Sequence, residues 1–327
     1  MKYRQLGRTG LQVSEIGFGA WGIGGSSKGA ISYGPTDDSE SCKALLRAFD
    51  LGITFYDTAD LYGYGHSEKL LGTTFHNLRH RVVIASKVGL LDQSGAQDFS
   101  PPHIRSSLEA TLKRLNSDYI DLYQLHDPPI GLIESDSSIC ETLRGLRKEG
   151  KIRAYGISLR HPDDSLIATG KLGFDAVQVN FNMIDQRLLE NGLLSACRDR
   201  GVGIISRTPL CFGFLTGKYP AQTQFHAQDH RSKWPSRQVE LWANAYRLFR
   251  CALPLNGQTD AQIALRYCLS YPEISTAIPG MLLDTEVEEN VAASALGPLS
   301  EREREDIEAI YNNYIFFLGA GKSAKRP

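Results

Sequence analysis

Short apolar runs alternate with longer segments whose apolar residues recur every three or four positions, and the alternation persists along most of the chain. The runs are Glu15–Gly19, Ile53–Asp57, Val82–Lys87, Tyr119–His126, Ile152–Ser158, Asp175–Asn180, Val202–Arg207 and Ser275–Gly280. Several are apolar at nearly every position, as strands are when both faces of a sheet are covered. The intervening segments read as helices. Ile104, Leu108, Leu112 and Leu115 share one helical face, behind a start signal of Ser100 followed by Pro101-Pro102. Thr259 with Gln262, and Ser300 with Glu303, have the spacing of capping boxes. Eight strands alternating with helices predict a parallel sheet, and that count predicts an α/β fold of the closed (β/α)8 TIM-barrel type. Tyr3–Leu6 and Leu11–Ser14, joined by Arg8-Thr9-Gly10, predict an N-terminal β-hairpin ahead of the barrel. Phe212–Arg237, rich in Gly, Pro, His and Gln, predicts a long loop of the kind binding sites use. With no boundary or internal repeat, residues 1–327 are expected to form one barrel domain, with 312–327 as a flexible tail.

Charge narrows the function classes. Lys and Arg number 36 against 37 Asp and Glu, so no global field favours nucleic acid or an anionic membrane. The six cysteines, at 42, 140, 197, 211, 251 and 268, include no CxxC pair and predict reduced, mostly buried thiols. The opening residues carry no apolar leader, and no uncharged apolar run approaches a membrane-spanning length of about 18 residues. A soluble, cytoplasmic protein is the expectation.

Three motifs resemble known sites without meeting their requirements. Gly17, Gly19 and Gly22 spell GxGxxG, but a dinucleotide fingerprint opens a helix directly. Here the chain continues through Gly24, Gly25, Gly34 and Pro35, and a helix begins only near Ser39. Gly319–Ser323 resembles half of a phosphate-binding loop, but the required first Gly is Phe316. His76/His80 and His226/His230 stand four apart with no third ligand in sequence, so solvated or structural histidines are expected.

The C-terminal ends of barrel strands converge on one mouth. Asp57 ends the second predicted strand, Lys87 the third and His126 the fourth, while Tyr62 follows Asp57 in a loop that Gly63 and Gly65 allow to fold back. A phenol, with its ordinary pKa near 10, is a poor acid unassisted. An ammonium about 4 Å away favours phenolate by about 4 kcal/mol at an effective dielectric near 20. Tyr62 is therefore the expected general acid, with Lys87 to lower its pKa, Asp57 to hold Lys87 and His126 to orient a carbonyl oxygen. These groups supply no redox electrons, so a hydride carrier is required.

The sequence DTADLYGYGHSE (Asp57–Glu68), with VVIASK and DYIDLYQLH, resembles the aldo-keto reductase superfamily over nearly the whole chain. The resemblance implies a (β/α)8 barrel, a small-molecule carbonyl or alcohol substrate and a tetrad of Asp57, Tyr62, Lys87 and His126. It also implies a nicotinamide dinucleotide bound without a Rossmann motif. By position, Gly19, Ala20 and Trp21 match the loop after the first barrel strand. Ser158 and Gln178 match residues that hold the carboxamide, with Leu159 standing where the family usually has Asn. Arg207 occupies the place of an aromatic residue that stacks on nicotinamide. Thr208, Pro209, Leu210, Gly213, Leu215 and Lys218 match the loop over the pyrophosphate, and Gly280, Leu282, Glu286 and Asn290 the adenosine end.

The family default is NADP(H). Leu282 and Leu283, however, stand where a 2′-phosphate would meet basic residues, which makes NAD(H) an equal candidate unless Arg231 or Lys233 compensates. The alternative to an enzyme is a cofactor-binding sensor or accessory subunit. Specificity is expected from Asp127–Asp136, Phe212–Arg237 and the tail after Tyr311, with Trp21, Trp234 and Phe316 lining an apolar pocket.

Overall fold

A computed structural model describes residues 1–26, 32–92 and 94–318. All eight predicted strands form, in order. After the hairpin strands β1 (Tyr3–Gln5) and β2 (Gln12–Ser14) come β3 (Phe18–Gly19), β4 (Phe55–Asp57), β5 (Val83–Val88) and β6 (Ile120–His126). β7 (Ile152–Leu159), β8 (Ala176–Asn180), β9 (Gly203–Arg207) and β10 (Ile274–Ile278) complete the set. Strands β3 to β10 are parallel, each paired with its neighbour in sequence. Parallel bridges Ile16–Ala277 and Gly19–Gly280 bring the first strand to the last and close the barrel.

The hairpin seals the end opposite the mouth. β1 and β2 pair antiparallel, and the turn sends Leu6 into the barrel against Phe55, Ala85, Leu122, Ala154, Ala176 and Ile205. Small side chains there leave room for Leu6. Gly7 has φ +53°, and a Cβ on it would lie 2.3 Å from the Gly203 nitrogen, so both the turn and the close approach require glycine.

The larger core lies between barrel and helices. The helix Pro101–Leu115 buries Ile104, Leu108, Leu112 and Leu115 as its periodicity predicts. Both expected capping boxes form, at Thr259–Gln262 and Ser300–Glu303. Ser100, by contrast, makes no side-chain capping bond, and Pro102 at the second helical position has no N–H to offer one.

The stretch Phe212–Arg237 is less loop-like than expected: it contains tight turns at Cys211–Thr216 and His230–Lys233, and the helix Ser236–Ala252 begins inside it. Of the expected tail, residues up to 318 are docked, with Phe316 buried and the Leu318 N–H bonded to Gln238. The GAGKS stretch lies outside the described residues. All six cysteines are free. Among the described residues no helix is long and apolar enough to cross a membrane.

Candidate active site

Strand register determines which side chains share the mouth. Asp57 lies beside Gly19, His126 beside Ser158, Ser158 beside Gln178 and Asn180 beside Arg207. These strand ends surround a cavity of about 660 Å³ that runs from Asp57, Tyr62 and His126 to Leu282, Glu286 and Asn290.

Lys87 is fully buried behind Tyr62. Its Nζ donates to Asp57 Oδ1 at 2.5 Å, to the Thr58 carbonyl at 2.8 Å and to Tyr62 Oη at 3.1 Å. An ammonium has three protons, and all three are committed. Tyr62 Oη therefore accepts from Lys87, and its own proton is left for the cavity. The second Asp57 oxygen accepts from Gln178 Nε2 at 2.7 Å and Gln124 Nε2 at 3.2 Å, so the carboxylate is braced from three sides.

Glycine sets the position of Tyr62. Gly63 has φ +60°, and a Cβ on it would lie 2.1 Å from the Gly24 carbonyl oxygen, so the loop after Tyr62 packs backbone to backbone on the loop after β3. Glu68, fully buried, ties the same loop down through Arg114 Nε and the hydroxyl of Ser86, the residue preceding Lys87.

The electrostatics correct one expectation. Lys87 does favour the phenolate, but burial raises the Tyr62 pKa by more, with Asp57 adding to the rise, and the net position is above the ordinary value. Tyr62 thus holds its proton at neutral pH. Burial, reinforced by Lys87, Arg207 and Arg160, pushes His126 well below the usual imidazole range and keeps it neutral. Its Nδ1 is buried without a partner. The ring meets that of Tyr62 edge-on at 6.0 Å.

Most cofactor positions inferred from sequence line this one cavity. Gly19, Trp21, Gln178 and Arg207 lie near Tyr62, and Thr208, Pro209, Leu210, Gly213 and Lys218 follow along β9 and its loop. Gly280, Leu282, Glu286 and Asn290 form the far end. Ala20 and Leu215 are instead set back in the core, and Ser158 lies beneath the surface, where it donates to Gln178 at 3.4 Å. Gln178 is consequently a brace of Asp57 as well as a wall of the cavity.

Phe316 packs on Phe249, away from the cavity, and the described part of the tail does not line it. The first loop segment expected to set specificity contributes only indirectly: Asp127 pairs at 2.6 Å with Arg160, which does line the cavity. Arg231 lines the cavity but is already paired, to Asp229 at 2.7 Å, with Tyr33, Tyr219 and Phe225 around its guanidinium. Lys233 is exposed and absent from the cavity wall. His230 lies in that wall with its ring 4.4 Å from Trp21, and no cluster of His, Cys, Asp or Glu suited to a metal occurs among the described residues. Gln124, Glu68, Arg160, Asn180 and Tyr33 carry no individual signal in the sequence, although Glu68 lies inside the DTADLYGYGHSE motif; His230, expected from its spacing to be a solvated or structural histidine, is instead part of the cavity wall.

The aldo/keto reductase family profile matches residues 15–312. The chain belongs to the aldo/keto reductase family. It is 33% identical over 325 residues to L-galactose dehydrogenase of Arabidopsis thaliana, covering 95% of this chain and 94% of that protein. It is 29% identical to a probable voltage-gated potassium channel subunit beta of Oryza sativa subsp. japonica, over 95% and 96% of the two chains. Among solved structures, the holo form of an aldo-keto reductase from Bacillus halodurans superposes with a TM-score of 0.78 at 28% identity, over 95% of this chain and 96% of that one. This aldo/keto reductase is an oxidoreductase of the NAD(P)-dependent class that acts on carbonyl and alcohol groups.

The residues fit such a dinucleotide. The cavity runs from the Tyr62 hydroxyl past Gln178 and the β9 loop to Leu282, Glu286 and Asn290, and at its outer end Gly22 lets the loop after β3 pack against Leu282, where a Cβ would meet Leu282 Cδ2 at 2.7 Å.

Proposed function

We propose that this chain interconverts a small carbonyl compound and its alcohol, with Tyr62 as proton donor in reduction and proton acceptor in oxidation. The observation that carries this reading is the exhausted Lys87 ammonium, which leaves the Tyr62 proton directed to the cavity. A bound nicotinamide dinucleotide supplies or takes up the hydride. Tyr62 then delivers its proton to the substrate oxygen, and Lys87 stabilises the phenolate left behind. Neutral His126, beside Tyr62, orients the same oxygen. Asp57 holds Lys87 in place, and Gln178 and Gln124 brace Asp57.

The preferred cofactor is NAD(H). Leu282 offers no charge to a 2′-phosphate, and Glu286 Oε2 already accepts the Leu282 N–H at 2.9 Å. An anion therefore sits at the start of the helix Asp284–Leu296, where a phosphate would otherwise be welcome. Lys218 is offset by Glu286 at 3.6 Å, and Arg231 by Asp229.

The test is incubation of the protein with NADH or NADPH and a panel of aldehydes, beside Tyr62→Phe. The expected outcome is reduction by the wild type and a loss of about a thousandfold in the variant, with dinucleotide binding retained. Turnover near wild type in Tyr62→Phe overturns the assignment.

A second reading, an accessory subunit with little turnover, is favoured by the likeness to the channel subunit of Oryza sativa. Dinucleotide binding without reduction of any aldehyde in that panel would support it.

A further inference from the structure

The cations lining the cavity are not alike. Lys218 is paired with Glu286, Arg231 with Asp229 and Arg160 with Asp127. Arg207 has no such partner among the described residues. Its Nη1 donates to Ser158 Oγ at 3.4 Å and its Nη2 to the Leu159 carbonyl at 3.1 Å, while its Nε is buried with nothing to accept from it. A guanidinium carries five N–H donors, so three remain without a protein acceptor. The side chain is half-buried at the cavity wall; neutral acceptors do not cancel its charge, and a partly desolvated charge gains when an anion joins it. Burial accordingly holds Arg207 below its ordinary pKa.

Position says which anion. Arg207 ends β9 beside Asn180, and Tyr62, Asp127, Arg160 and Asp57 are its electrostatic neighbours. Arg160 lines the same end of the cavity, and its side chain is 66% exposed, free to swing from Asp127. The anion is therefore required beside the reacting centre. A guanidinium stacks through its face and donates through its edge, so stacking on a nicotinamide ring leaves that edge available.

We propose that Arg207, assisted by Arg160, binds an oxyanion carried by the substrate, so that the preferred carbonyl compound or alcohol bears a carboxylate or phosphate. This rests on the carbonyl–alcohol chemistry assigned to Tyr62. The anion neutralises the guanidinium, and the planar fork fixes which end of the substrate faces Tyr62.

Two matched pairs test it: succinic semialdehyde against butanal, and glyceraldehyde 3-phosphate against glyceraldehyde. The wild type should favour the charged member of at least one pair by about tenfold or more in kcat/KM, equivalent to about 1.4 kcal/mol. Which pair responds separates carboxylate from phosphate. Arg207→Met should collapse that ratio and Arg207→Lys should restore part of it. Equal turnover of charged and neutral members, or a ratio untouched by Arg207→Met, overturns the proposal. Reduction of none of the four with either dinucleotide counts against the assigned activity instead. Anion binding is then decided by titrating the protein with succinate or inorganic phosphate and following the fluorescence of Trp21 and Trp234. Saturation lost in Arg207→Met supports the site, and absence of saturation, or saturation that survives in Arg207→Met, overturns it.

Discussion

The two ends of the cavity are built differently. At the inner end Asp57 and Lys87 are almost wholly buried, they sit on paired strand ends, and every proton of Lys87 has a defined acceptor. At the outer end Lys218 and Glu286 sit on a loop and on the first turn of a helix. Their side chains are 53% and 30% exposed, and they meet at 3.6 Å. An ion pair so open to solvent contributes about 0–1 kcal/mol, whereas breaking a buried one costs about 3–5 kcal/mol. The chemistry is thus placed where backbone register over-determines it, and cofactor choice where a few substitutions can change it.

The largest expected effect lies at the inner end. Lys87→Met leaves Asp57 buried without its cation and Tyr62 without its donor. Turnover should fall by three orders of magnitude or about that, with a clear loss of thermal stability. Lys87→Arg should rescue poorly, because a planar fork cannot serve three acceptors arranged around one nitrogen. Steady-state kinetics of both variants check this, and substantial activity in Lys87→Arg would break the contrast between a rigid inner end and an adjustable outer one.

The same contrast explains what the sequence disclosed. Strand ends can be counted from apolar runs, so Asp57, Lys87 and His126 were visible as a set, and Gly63 and Gly65 marked the loop that carries Tyr62. Gln124 was not visible, because it lies in mid-strand like any buried residue and only register aims it at Asp57. Arg160 follows a strand end with no motif around it, and His230, visible only as half of a histidine pair in a long loop, owes its place in the wall to tertiary contacts: its N–H bonds to the Ser32 carbonyl nearly two hundred residues away. The sign of the Tyr62 shift is not legible in the sequence for a related reason. Spacing brings an ammonium near a phenol, but burial is a property of the assembled fold, and here it is the larger influence.

A middle-sized effect is expected at the outer end. Dissociation constants should favour NADH over NADPH. Leu282→Arg should move the ratio towards NADPH by about tenfold, the 1.4 kcal/mol of a charge-assisted contact. Glu286→Gln should move it the same way, by removing the anion that now accepts the Leu282 N–H. A wild-type preference for NADPH of about a hundredfold, some 2.7 kcal/mol, would show that a cation meets the phosphate in spite of the Lys218–Glu286 and Arg231–Asp229 pairs. If neither substitution changes the ratio, Leu282 does not face the ribose.

The smallest effect concerns what the inner end costs in stability. Asp60, in the Tyr62 loop, has one carboxylate oxygen buried without a partner, and burial, with Glu68 adding repulsion, raises its pKa from 3.8 to about 7. Between those values the native protein binds more protons at this group than the unfolded chain does, so the group lowers stability as pH rises through the window and has a constant effect above it. Asp60→Asn removes the titration. Relative to wild type, its melting temperature should therefore be higher at pH 8 than at pH 5, when each variant is compared with wild type in the same buffer. Lys218→Met, at the exposed end, should change the melting temperature little at either pH, since its ion pair is open to water. A pH-independent difference for Asp60→Asn would mean that the carboxyl is ionised throughout, with Arg114 and Lys87, the cations that oppose its rise, outweighing burial.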